Sequence, residues 1–141
     1  MSIERINPTA LSRPRGFSHA VVGEGRVVFL AGQTALDAAG RIVVGGVAEQ
    51  FERALGNLLA ALEAAGGTPS QLASLTVYAV DLADYRAHAR DIGLVWRRLA
   101  GSDYPAMAAV GVTRLWDEGA LVELQGFAIL DGRRRRHPPM T

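Results

Sequence analysis

The chain has 141 residues, of which 49% are hydrophobic and 21% charged, with a formal net charge of +1. That length suits one domain with its own core, and the apolar fraction excludes a disordered polymer. The absence of cysteine excludes disulfides and cysteine-based zinc sites. Its basic residues are all arginine, so Schiff-base and P-loop lysine chemistry are excluded. Four of them form the run Arg133–Arg136; without that tail the body holds 11 arginines against 14 acids and is a poor nucleic-acid surface. No apolar run approaches the roughly 20 residues of a membrane span, and the N-terminus does not read as a signal peptide. A cytoplasmic location is the resulting expectation.

The first fifteen residues, with Pro8 and Pro14, read as an extended lead-in. Phe17 to Gly23 and Arg26 to Ala31 are β-branched-rich runs split by Gly23-Glu24-Gly25, a hairpin signal. Gly32-Gln33 ends the second run, and Arg41 to Val44 is a further short strand candidate before Gly45-Gly46. Val47 to Ala65 is the clearest helix: Val47, Phe51, Leu55, Leu58, Leu59 and Leu62 share one face, with Gly66-Gly67 as the stop. Leu72 to Val80 reads as a strand with Leu75, Val77 and Ala79 on one face. Asp81 or Asp84 caps a second helix, about Tyr85 to Leu99, ended by Gly101. Ala106 to Leu115 and Ala120 to Leu130 close the domain as two strands around the turn Trp116–Gly119.

This order predicts an α+β domain of two layers, a mixed sheet with two helices on one face. Residues 1–132 form the single domain and 133–141 a basic C-terminal tail. Because Val27–Leu30 and Leu121-Val122 are apolar on both faces, the face without helices is expected to meet another subunit.

Glu123 stands among apolar residues on the last strand, where an unpaired carboxylate is costly. It is either an acid/base group in a pocket or an ordinary exposed acid, and Gln125 shares its face by alternation. His19, His88 and His137 lack metal-ligand spacing, so no metal is expected, and no cofactor is implied; His19 alone falls near the candidate site. Trp96 reads as helix core and Trp116 as a turn cap. The Arg133–Arg136 run reads as a solvated tail; RNA binding is a weaker alternative.

The pieces Gly16–Val21, Leu30–Thr34, Gln50 to Gly66, Leu75–Leu82 and Tyr104-Pro105-Ala106 to Glu123 resemble, in order and spacing, the RidA/YjgF family, also labelled L-PSP endoribonuclease or translation inhibitor. The resemblance covers about residues 6–130. It implies a chorismate-mutase-like fold and a homotrimer with a ligand cleft between subunits, where active members hydrolyse enamines and imines to 2-keto acids and ammonia. It further implies that Glu123 holds the attacking water and moves protons, with Gly32 and Gln33 as backbone contacts. The family's carboxylate-clamping arginine falls on Met107, its frequent cysteine on Ala109, and its tyrosine on Phe17. Met107 and Phe17 therefore read as an apolar pocket floor or as interface packing. Arg15 and Arg114 are the candidate replacements for the missing cation. The resemblance leaves two readings, a small-metabolite imine hydrolase and a non-catalytic binding protein on the same trimeric scaffold.

Overall fold

The computed structural model describes residues 3–132; the basic tail at 133–141 lies outside the described residues. The elements are β1 (Ile3–Ile6), β2 (Ala20–Gly23), β3 (Arg26–Gln33), α1 (Val47–Ala64), β4 (Leu72–Ala79), α2 (Leu82–Ala87), α3 (Ala89–Ala100), β5 (Ala106–Gly111) and β6 (Val122–Leu130). A four-stranded sheet runs β3-β6-β4-β5, and β1 and β2 form a separate antiparallel pair. β6 is antiparallel to both its neighbours, whereas β4 and β5 are parallel and joined through α2 and α3. The main sheet is therefore mixed, and a parallel pair needs such a helical crossover. This is the α+β architecture expected from the chain order.

Register assigns each strand residue to a face. Leu75 lies opposite Gly126, Val77 opposite Leu124, and Ala79 opposite Val122. These positions are buried. They meet Val47, Phe51, Leu55, Leu58 and Leu62 of α1 and Ile92 and Trp96 of α3 in one core. The other face carries no helix. Val27 lies opposite Ile129 and Phe29 opposite Phe127, and the two phenylalanine rings meet edge to face at 5.3 Å. Phe29 nevertheless remains 77% exposed.

The helix ends follow local rules. The Glu49 carboxylate accepts from the Gly46 amide at 3.0 Å at the start of α1. At its end Gly66 adopts φ +93°, where glycine has no steric penalty. Asp81 caps α2 by accepting from the Asp84 amide at 3.0 Å.

Five sequence expectations change. The lead-in contains β1, because Ile3–Ile6 finds a partner in β2. The expected hairpin of Phe17–Gly23 with Arg26–Ala31 does not form: β2 pairs with β1, and β3 pairs with β6. The Gly-Glu-Gly link instead carries the chain between sheets, and a Cβ on Gly25 would lie 1.8 Å from the Leu130 carbonyl oxygen. Arg41 to Val44 forms only an isolated bridge between Leu36 and Ile42. The second helix breaks at His88, whose ring nitrogen Nδ1 engages the Asp84 carbonyl at 2.9 Å. Finally, β5 stops at Gly111 because its neighbour β4 ends at Ala79.

Leu58 is fully buried. Leu58→Ala should cost about 2–5 kcal/mol through lost burial and a residual cavity, measured by chemical denaturation.

Candidate active site

Glu123 is half-buried on the open face of β6. Its cross-strand neighbour on β4 is Tyr78, and β3 brings Gly32 against its carboxylate. A Cβ at Gly32 would lie 2.0 Å from Glu123 Oε2. The glycine therefore leaves room for the acid in its observed position. Among the described residues, no side chain hydrogen-bonds to or ion-pairs with this carboxylate. Partial desolvation, and then the charge of Asp117, hold its pKa above the ordinary carboxylate value. That direction favours the neutral form of this acid relative to a fully solvated carboxylate.

Two polar side chains of α1 hold the flanking segments. Gln50 is 3% exposed; its Nε2 donates to the Gly119 carbonyl at 3.1 Å, and its Oε1 accepts from the Leu121 amide at 2.8 Å. Asn57 Nδ2 donates to the carbonyls of Thr34 and Leu36 at 3.2 and 2.9 Å. Between these anchors the buried Thr34 hydroxyl donates to the Asp117 carboxylate. Thus α1 fixes the loop that carries Asp117, the charge felt by Glu123. Sequence reading passed over Gln50, Asn57, Thr34, Tyr78 and Asp117. The available signal was Gln50 and Asn57, two polar residues seven apart, two helical turns, on a helix packed against the core.

The other candidates divide between two surfaces. Gln125 shares the open face and accepts from the Tyr78 hydroxyl at 3.2 Å. Gln33 lies opposite Leu124, on the helix side, after an irregularity in the β3 register. Met107 lies opposite Leu75 and Ala109 opposite Val77, so both belong to the helix side of β5. Met107 and Glu123 therefore occupy opposite faces of one chain, and a cleft lined by both needs two copies. Phe17 packs edge-on against His19, with ring centroids 5.0 Å apart. His19 itself is engaged locally, its Nε2 with the Ser12 carbonyl at 2.7 Å.

Arg114 lies in the loop after β5, beyond the reach of strand alternation, in a hollow shared with Trp116 and Asp117. Trp116 is 97% exposed, so it caps nothing within the chain. Arg15 lines a different cavity, the one that contains Met107. Among the described residues no cluster of three or more histidine, aspartate or glutamate side chains is placed to hold a metal ion, and no helix is long and apolar enough to cross a membrane.

The sequence profile of the family described as Endoribonuclease L-PSP matches residues 8–130. The chain belongs to the RidA/YjgF (L-PSP) family. It is 33% identical to a RutC family protein of Pyrococcus abyssi over 91% of this chain and 98% of that protein. It is also 33% identical to the 2-iminobutanoate/2-iminopropanoate deaminase of Capra hircus, over 80% of this chain and 79% of that one. A Rid family protein of unknown function from Yersinia pestis, solved by crystallography, superposes with a TM-score of 0.83 at 33% identity. That match covers 92% of this chain and all of the other. The RidA fold inferred from scattered short motifs therefore holds for the whole domain.

Two predictions follow from the geometry of Glu123. Gly32→Ala should displace the carboxylate toward water and return its pKa toward the ordinary value, read by carboxyl NMR titration. The raised pKa also sets the sign of a stability effect. Protonated Glu123 favours the folded state; that contribution is complete below the unfolded-state pKa and lost as pH rises through the folded-state value. Glu123→Gln should therefore melt above the parent protein at pH 7, with the difference shrinking toward zero in acid.

Proposed function

We propose that this RidA-family chain hydrolyses small enamines or imines in a cleft between subunits, with Glu123 as the acid/base. The observation that carries the reading is the unpaired, partly desolvated Glu123 carboxylate over Gly32. The deaminase relatives support it. The imine nitrogen is protonated before attack. Glu123 then accepts a proton as its held water adds to the imine carbon, giving a carbinolamine. It returns that proton to the nitrogen, the C–N bond breaks, ammonia leaves, and loss of the hydroxyl proton leaves the ketone. No cofactor enters this sequence.

A homotrimer fits the same reading. The open sheet face presents Val27, Phe29 and Phe127 to solvent, and burying such a face against other copies is favourable. Trimerisation brings Met107 of one copy toward Glu123 of another, which a single chain keeps on opposite faces of the sheet. Ligand contacts in that cleft are assigned to Gly32, the backbone of Gln33 and Gln125 on one side and Phe17, Met107 and Ala109 on the other.

Met107 narrows the substrate. An arginine at this position would bind a carboxylate through a planar pair of hydrogen bonds, and a thioether offers none. This favours a second reading, a non-catalytic binding protein on the same scaffold. The test is ammonia and ketone release from freshly generated imines, with and without a carboxylate. Glu123→Gln should lower the rate at least 100-fold. Met107→Arg should raise the rate on 2-imino acids relative to uncharged imines. Absence of turnover on every imine, with a metabolite still bound after Glu123→Gln, would establish the binding protein instead.

A further inference from the structure

Ser18 is 4% exposed and ties the segment before β2 to the start of β5. Its amide donates to the Pro105 carbonyl at 2.9 Å, and its hydroxyl donates to the Tyr104 carbonyl at 2.7 Å. Gly16 turns the chain at φ +73° just before this anchor. The result carries Arg15 onto a cavity of about 210 Å³ between β5 and the helices. Besides Arg15, its walls include Phe51, Tyr85, Trp96, Tyr104 and Met107.

These walls have a definite chemistry. Trp96 and Tyr104 stack with centroids 5.7 Å apart, and Phe51 meets Tyr85 at 6.3 Å. Trp96 is 3% exposed, yet its enclosed indole N–H has no hydrogen-bond partner among the described residues. A buried donor left unpaired is costly. Burial pushes the Tyr85 hydroxyl up to about 12, so it stays neutral and able to donate. Among the described residues no acid lines the cavity. Arg15 is exposed and makes no ion pair or hydrogen bond among the described residues. The site thus combines aromatic walls and a single cation.

We propose that this cavity binds a small carboxylate with an aryl or branched apolar body, and that Arg15 supplies the cationic contact Met107 lacks. The apolar body enters between Trp96, Tyr85 and Met107, and the carboxylate remains at the exposed guanidinium. Arg15 thereby sets specificity for anions over neutral ligands of the same shape. The assignment rests on the hydrolase reading only for the fate of the bound ligand, since occupancy needs no turnover.

The experiment uses the full chain carrying Trp116→Phe, which removes the exposed indole and leaves Trp96 as the only tryptophan. Its emission is titrated with 3-phenylpropionate and, separately, with neutral 3-phenylpropanol. The expected result is saturable perturbation of Trp96 emission by both. Arg15→Gln should weaken the carboxylate about tenfold or more while leaving the alcohol within twofold, as loss of one charge-assisted contact requires. Arg15→Lys should recover part of that loss. No saturable signal, or equal effects of Arg15→Gln on acid and alcohol, would overturn the proposal. The two readings fail separately. Arg15-dependent binding without imine turnover overturns the hydrolase reading alone, and turnover without Arg15-dependent binding overturns this one alone.

Discussion

Strand β6 lies between β3 and β4, and its two-residue alternation organises the molecule. Val122, Leu124, Gly126, Ala128 and Leu130 face the helices, while Glu123, Gln125 and Phe127 face the open side. A slip of one residue would drive a carboxylate into the core and expose the leucines. The register is held on both flanks, and Gly126 lets Ser74 of β4 pass, where a Cβ would sit 2.3 Å from its carbonyl oxygen. The same constraint that builds the core therefore delivers Glu123 to the surface where chemistry is possible.

That placement depends on α1 for more than apolar packing. Its leucine face closes the core, while Gln50 and Asn57 pair with backbone groups on both segments beside Glu123. Buried amides with satisfied partners rigidify what they hold. One helix thus sets both the stability of the domain and the position of Asp117, whose charge adds to desolvation in raising the pKa of Glu123.

Much of this was legible in the chain. α1 and β4 have strong periodicity and local stops, so their boundaries agree with the sequence reading to within a residue. Glu123 was visible as an acid in an apolar strand, and the family motifs marked Gly32 as its companion. The failures share a cause. β1 is four residues long, and the Gly-Glu-Gly link looks like a turn in either sheet arrangement. Such segments take their structure from a partner distant in sequence. Arg114 fell within an expected strand that in fact ends three residues earlier. Trp116 has no local feature that distinguishes a capped side chain from its observed exposure.

Sequence alone determined the α+β class, the family and the side chains carried at positions 107 and 123. Those properties reside in residue identity and in periodicities that any window of the chain displays. Tertiary structure alone decided that Met107 and Glu123 lie on opposite faces of the sheet, and that Arg15 joins Met107 at an aromatic cavity. It did so because strand register and the Ser18 anchor join segments about ninety residues apart, a relation that no local pattern encodes.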